Sequence, residues 1–129
     1  MLEYQRLALF WSMALLWGTA ALSQGTAAPA SAPLPSAVRC TAMFAITLEA
    51  LERKSGDPAM TKAFREDTAA LRRIVIAETR QTDAEVAADS AISREIAVLH
   101  GEMHARNVDE TSLDLKSCYR VKALGPRGE

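Results

Sequence analysis

From about Ser36 onward, apolar side chains recur with the spacing of helices, and no segment alternates like a strand. In the first such stretch, Met43, Phe44, Thr47, Leu48 and Leu51 follow the i, i+3/i+4, i+7/i+8 rule, and Cys40 opens the same face. This predicts a buried helix from Ser36 or Ala37 to Lys54. Ser55-Gly56 ends it, with basic Arg53 and Lys54 in the last turn, where they suit the helix dipole. Asp57-Pro58 is the next start signal, an N-cap followed by proline at the first helical position. From there Met60, Phe64, Thr68, Leu71, Val75 and Thr79 form the inner stripe of a second helix reaching about Arg80. Thr82-Asp83-Ala84-Glu85 has the form of a capping box. It predicts a third helix with Ala88, Ile92, Ile96, Leu99 and Met103 inward, running through Gly101 to about Arg106. Leu115, Cys118 and Tyr119 fit one face of a short last helix. Met43, Met60 and Met103 all read as core filler.

The first two dozen residues have a different pattern. A weakly positive start (Met1 to Arg6) precedes the uncharged run Leu7 to Trp17, followed by Gly18 and small residues, the order of a secretory signal peptide. Ala21-Leu22-Ser23 places small residues at −3 and −1, which predicts cleavage before Gln24. The alternative is a retained membrane anchor at residues 7–22, roughly 16 residues against the about 20 needed to cross a bilayer. Pro, Ala and Ser then dominate Gln24 to Ala37, and three prolines in the stretch Pro29 to Pro35 favour an extended linker. The expected organisation is a signal peptide at 1–23, a flexible linker at 24–37, a helical domain at 38–123 and a disordered tail at 124–129. The protein is expected in the periplasm or secreted, and free of the membrane after cleavage.

Composition narrows the function classes. A chain of 129 residues with net charge −1 and 24% charged side chains has no electrostatic lean towards nucleic acid or anionic lipid. Both tryptophans lie in the leader, so the domain holds few large side chains, and small cores of that kind often carry a cross-link. The two cysteines, Cys40 and Cys118, supply one in an oxidising compartment. Closing a loop of 78 residues is worth about 4.5 kcal/mol by chain entropy. Geometry sets a condition on that bridge. With four helices side by side and level, Cys40 lies roughly 22 Å below the top of the first helix and Cys118 only about 10 Å below it. Three arrangements close the gap: an extended stretch near 107–113, a third helix ending early at Gly101, or a first helix crossing the others steeply. The first is preferred, which predicts that Asn107 to Thr111 is not helical and that the fourth helix begins at or after Thr111.

Candidate chemistry is sparse. The only histidines stand together in His100-Gly101-Glu102-Met103-His104, and the i, i+4 spacing puts both imidazoles on one side of a helix with Met103 beside them. His100, Met103 and His104 form a candidate site for copper, nickel or zinc, with Asp109 or Glu110 as further oxygen donors after a turn. The run resembles the zincin His-Glu-x-x-His signature in histidine spacing alone. Glu102 occupies the third position, off the face a general base must share, so no protease function follows. Arg53-Lys54 and Arg72-Arg73 read as solvated helix charges, and no Gly-rich phosphate loop or Gly-x-Ser-x-Gly setting is present. The sequence therefore predicts an all-α, disulfide-stapled helical bundle of three main helices and a short fourth. Its expected role is non-enzymatic and cofactor-free, binding another envelope or extracellular protein. The alternatives are periplasmic metal binding through His100, Met103 and His104, and a membrane-tethered accessory role.

Overall fold

The computed structural model describes residues 33–127. The predicted signal peptide, its anchor alternative and most of the linker lie outside the described residues. Four α-helices follow in order: α1 (Ala37–Arg53), α2 (Pro58–Glu78), α3 (Ala84–Arg106) and α4 (Lys116–Leu124), with a 3-10 turn at Glu110–Ser112 before the last. The start signal of α2 acts as the sequence implies, and α1 has a cap of its own. Ser36 Oγ accepts a hydrogen bond from the Arg39 amide at 3.1 Å, and Asp57 accepts from Ala59 at 3.0 Å with Pro58 at the first helical position. The folded unit begins earlier than Val38, because Ala37 is buried and Leu34 packs against the core. At the other end Leu124 still belongs to α4, and the Arg127 amide donates to Glu78 at 2.7 Å, so ordered backbone continues into the expected tail.

All three connections between the helices and their successors turn on a left-handed residue that is not glycine: Ser55 (φ 52°), Asp83 (φ 60°) and Asn107 (φ 53°). At the end of α1 the Gly56 amide bonds Leu51 O at 3.1 Å and the Ser55 amide bonds Glu52 O at 3.4 Å, a Schellman closure. Ser55 thus takes the conformation that the sequence suggests for Gly56. Asn107 closes α3 in the same way, with the Val108 amide on Met103 O at 3.0 Å and Val108 folded back onto the core. The capping box at Thr82–Glu85 does not form. Asp83 holds the N-cap position of α3 in a left-handed conformation and its side chain makes no capping bond, because an accepting N-cap side chain needs extended backbone. Reversing the chain between Thr79 and Asp83 takes precedence over the cap.

α1 is the central helix and packs against α2, α3, α4 and the 3-10 turn. Its expected inner face holds Cys40, Met43 and Phe44, but Ala42, Ile46 and Ala50 on the opposite side are buried too, while Leu48 and Leu51 are only half-buried. A helix covered from both sides needs small residues where a neighbour's backbone comes close, which alanine supplies. Phe44, fully buried, meets Phe64 of α2 and Tyr119 of α4, both with ring centroids 5.4 Å away, the second edge-on. The stripe of α3 is as expected, with Ala88, Ile92, Leu99 and Met103 buried and Ile96 packed beside them. Leu71, Ile74 and Val75 are the buried residues of α2. Met60, expected in the core, is 50% exposed, since α4 meets α2 further along at Asp67 and nothing covers its first turn. The threonines on inner faces return their hydroxyl hydrogens to the preceding turn, as Thr41 does to Ala37 O at 2.7 Å, so no described buried polar side-chain atom lacks a partner.

The Cys40–Cys118 disulfide is present, with Cα atoms 5.4 Å apart and both residues fully buried. Two of the three proposed arrangements close the gap together. α3 runs on through Gly101, which excludes an early end, and the chain then takes nine residues before α4 starts at Lys116. Asp109 and Leu113 are extended on either side of the 3-10 turn, so the expected non-helical stretch is interrupted only by that turn, which includes Thr111. In addition α1 crosses the α2–α3 hairpin. Arg39 and Glu52 lie about 20 Å apart along α1, yet their partners Glu95 and Glu102 on α3 and Arg65 on α2 lie at similar distances from the hairpin's turn.

Removing the bridge by a double Cys40→Ala, Cys118→Ala substitution is expected to cost about 3–4 kcal/mol in urea unfolding, while the native protein takes up no thiol label even in denaturant until a reductant is added. Ser55→Gly relieves the side-chain penalty at φ 52°, and is expected to raise stability by about 0.5–1 kcal/mol in the same titration.

Candidate functional site

α3 carries the candidate ligands, and its continuity through Gly101 fixes their placement. A side chain added at Gly101 would meet nothing within 4 Å, so this stretch of the helix faces open space. His100 and His104 are both exposed one turn apart, as their spacing implies. Met103 is not with them: it is buried in the core beside Leu99. The three predicted ligands are therefore split between a surface pair and an interior thioether. The carboxylates that sequence proximity offers are engaged elsewhere. Glu102 pairs with Arg39 at 2.9 Å, Glu110 with Lys54 at 2.7 Å, and Asp109 accepts from the Thr111 amide at 3.0 Å and from its hydroxyl. Among the described residues no three His, Cys, Asp or Glu side chains are gathered as a metal site.

Arg39 is the charged centre of the α1–α3 contact. One guanidinium nitrogen reaches Glu95 and the other Glu102, each at 2.9 Å, so a single cation spans two turns of α3. The hydrogen bond from Arg39 holds the Glu102 carboxyl below its ordinary range and raises the guanidinium in turn. Arg72 grips Asp89 through two nitrogens, at 2.7 and 3.0 Å, and lowers that carboxyl by the same cause. Lys54 lowers Glu110 likewise, and the Thr111 hydroxyl lowers Asp109. These groups lie at the surface and clamp helices together; none of them lines an enclosed cleft.

What the sequence reading missed is the side of α3 turned away from the core. Projected at 100° per residue, Val86, Ser90, Ser93, Ala97, Gly101 and Ala105 share that side with the two histidines. All of them are exposed, Val86 at 67%, and Val98 at 50% borders them. Arg94 is the one charged side chain within this face. Asp89 is turned to Arg72 along one border, and Glu95 and Glu102 are turned to Arg39 along the other. A surface helix normally sets charge opposite its buried stripe. α3 sets small residues, two serines, two histidines and a valine there with one arginine, and the signal was readable as a helical segment with little contrast between its two sides. A shallow depression of about 590 Å³ lies on this face, lined by Val86, Asp89, Ser90, Ser93 and Arg94. Another of about 320 Å³ sits at the α1–α2 corner around Gly56 and Arg65. Among the described residues no helix is long and apolar enough to cross a membrane.

The lowered carboxyls fix the sign of the acid response. A carboxyl whose folded pKa is below its unfolded value, near 3.8 for Asp and 4.5 for Glu, adds stability that is complete above those values and is lost as pH falls through the folded pKa. The melting temperature is thus expected to stay level from neutrality to about pH 5 and to fall below about pH 4. Glu102→Gln should make that fall shallower in a melting series. Comparison with known proteins finds no family model, no curated protein and no solved structure that matches this chain.

Proposed function

We propose that this is a small exported helical protein, without catalytic activity, that works by binding another protein of the envelope or extracellular space through the outer face of α3. The observation that carries this reading is that face itself. It belongs to a helix of 23 residues whose inner stripe is buried in the core, while its opposite side is exposed and carries a single charged residue, Arg94. A face with so little charge gives up less hydration on association than a charged one. The buried disulfide supports an oxidising destination. The ion pairs along both borders of the face support a rigid presentation, since α3 is clamped to α1 by Arg39 and to α2 by Arg72.

Photo-crosslinking in the exporting cell tests this reading. A photoreactive residue at Ala97, on the face, is expected to yield a discrete protein adduct, and one at Lys62, exposed on α2, is not. Ala97→Glu should abolish the adduct formed from a second position on the face, Ser93, while changing stability by no more than about 0.5 kcal/mol. Equal labelling from Ala97 and Lys62, or none from either, would count against α3 as the binding surface.

A further inference from the structure

We infer that α4 is a redox latch: it docks last, and an external disulfide closes it through Cys118, with Cys40 as the resolving thiol. Both cysteines are fully buried once α4 is seated, so no oxidant can reach either sulfur in the closed form. The bond must therefore form while α4 stands away. The rest of the fold permits this, because among the described buried apolar residues only Cys118 and Val121 belong to α4, and α1, α2 and α3 supply the others and pack on one another without it. Apart from the bond, the hold on α4 is slight. Tyr119 stays half-exposed at the edge of Phe44, Lys122 meets Asp67 at the surface, and the Arg127 amide donates to Glu78. A helix of nine residues does not sustain itself, and the nine residues that join it to α3 contain no element but a 3-10 turn.

The charges around the two cysteines set the order of attack. Cys118 lies between Lys116 and Arg120, with Lys122 one turn on, and the nearest carboxylate in sequence is Asp114. Cations beside a thiol favour its thiolate, the attacking form. Cys40 has only Arg39 close by in sequence, and that guanidinium is held by Glu95 and Glu102. Cys40 also stays within α1, which α2 and α3 flank with or without α4. The Cys118 thiolate therefore attacks one sulfur of the oxidant's disulfide and expels the other as a thiolate, leaving a mixed disulfide. The Cys40 thiolate then attacks Cys118 Sγ, the oxidant's remaining sulfur leaves, and the Cys40–Cys118 bond is made. Two thiols of the chain have lost two electrons and two protons, and the oxidant's disulfide has become two thiols. The partner implied is a disulfide-bearing oxidoreductase of the oxidising compartment, for which glutathione disulfide is the small-molecule probe.

Limited trypsin digestion and reoxidation of the exported protein test the latch. With the bond intact, trypsin is expected to leave α4 whole. After reduction, Lys116, Arg120 and Lys122 should be cut at least about tenfold faster while Arg72 and Arg73 in α2 stay protected. Reoxidation with glutathione disulfide, quenched in acid, should show the glutathione adduct on Cys118 before the closed form appears. Cys40→Ser should accumulate that adduct, and Cys118→Ser should form one at Cys40 at least about tenfold more slowly. Cutting of α2 together with α4 on reduction would overturn the latch, since the bond would then hold the whole fold. Full protection of α4 in the reduced chain would overturn it equally. An adduct that appears first on Cys40, or equal rates from the two single variants, would overturn Cys118 as the point of entry.

Discussion

The covalent bond between Cys40 and Cys118 joins the first full turn of α1 to the first turn of α4, and most of the architecture follows from where it places them. One turn after Cys40 comes Phe44, and directly after Cys118 comes Tyr119. Closing the bond brings the half-exposed Tyr119 ring edge-on to buried Phe44, which packs on Phe64 of α2, so the cross-link and the Phe44 contacts lie together at a junction of three helices. Without the bond, α4 is nine residues long with one flank in contact, too short to hold helical structure by itself. With it, Val121 and Cys118 are buried and the far end of α4 is secured by Lys122 on Asp67.

That bond also explains the position of α1. To come within reach of Cys118, the helix crosses the α2–α3 hairpin and is covered on both sides, which a parallel array would not require. The consequences are visible at its start. Arg39 arrives not at the beginning of α3 but at Glu95 and Glu102, where it fills the gap between two turns of the longer helix. Ala42 and Ala50 are buried, where a larger side chain would force a neighbouring element away. The exposed ion pairs add little stability one by one, and the orientation of α3 about its own axis follows from burying Ala88, Ile92, Leu99 and Met103. The side opposite the core, with Arg94 as its one charge, faces outward.

A helix with so little charge on its solvent side departs from the usual amphipathic pattern of a surface helix. Among the described residues α3 is the helix that breaks the rule of charge opposite core, and it also carries both histidines. Local sequence rules are most often broken where a protein meets something else. This coincidence on one helix face is what gives the functional reading its direction.

The sequence alone determined the number and approximate extent of the helices, the action of Asp57-Pro58 as a start signal, the buried stripe of α3 and the pairing of the cysteines. These are local or arithmetical properties: periodicity, cap chemistry within three residues, and two thiols with no other mate. Tertiary structure decided what depends on which surface is covered. It placed Met60 in solvent and Met103 in the core although both occupy stripe positions, because only one of them has a neighbour above it. It made Ser55 and Asp83 left-handed where glycine and a capping box were legible, because the corners had to close in few residues. It separated Met103 from the two histidines and turned the sparsely charged side of α3 outward. Side chains on one helix share their spacing whatever surrounds them, and only the packing of the other helices settles which of them water can reach.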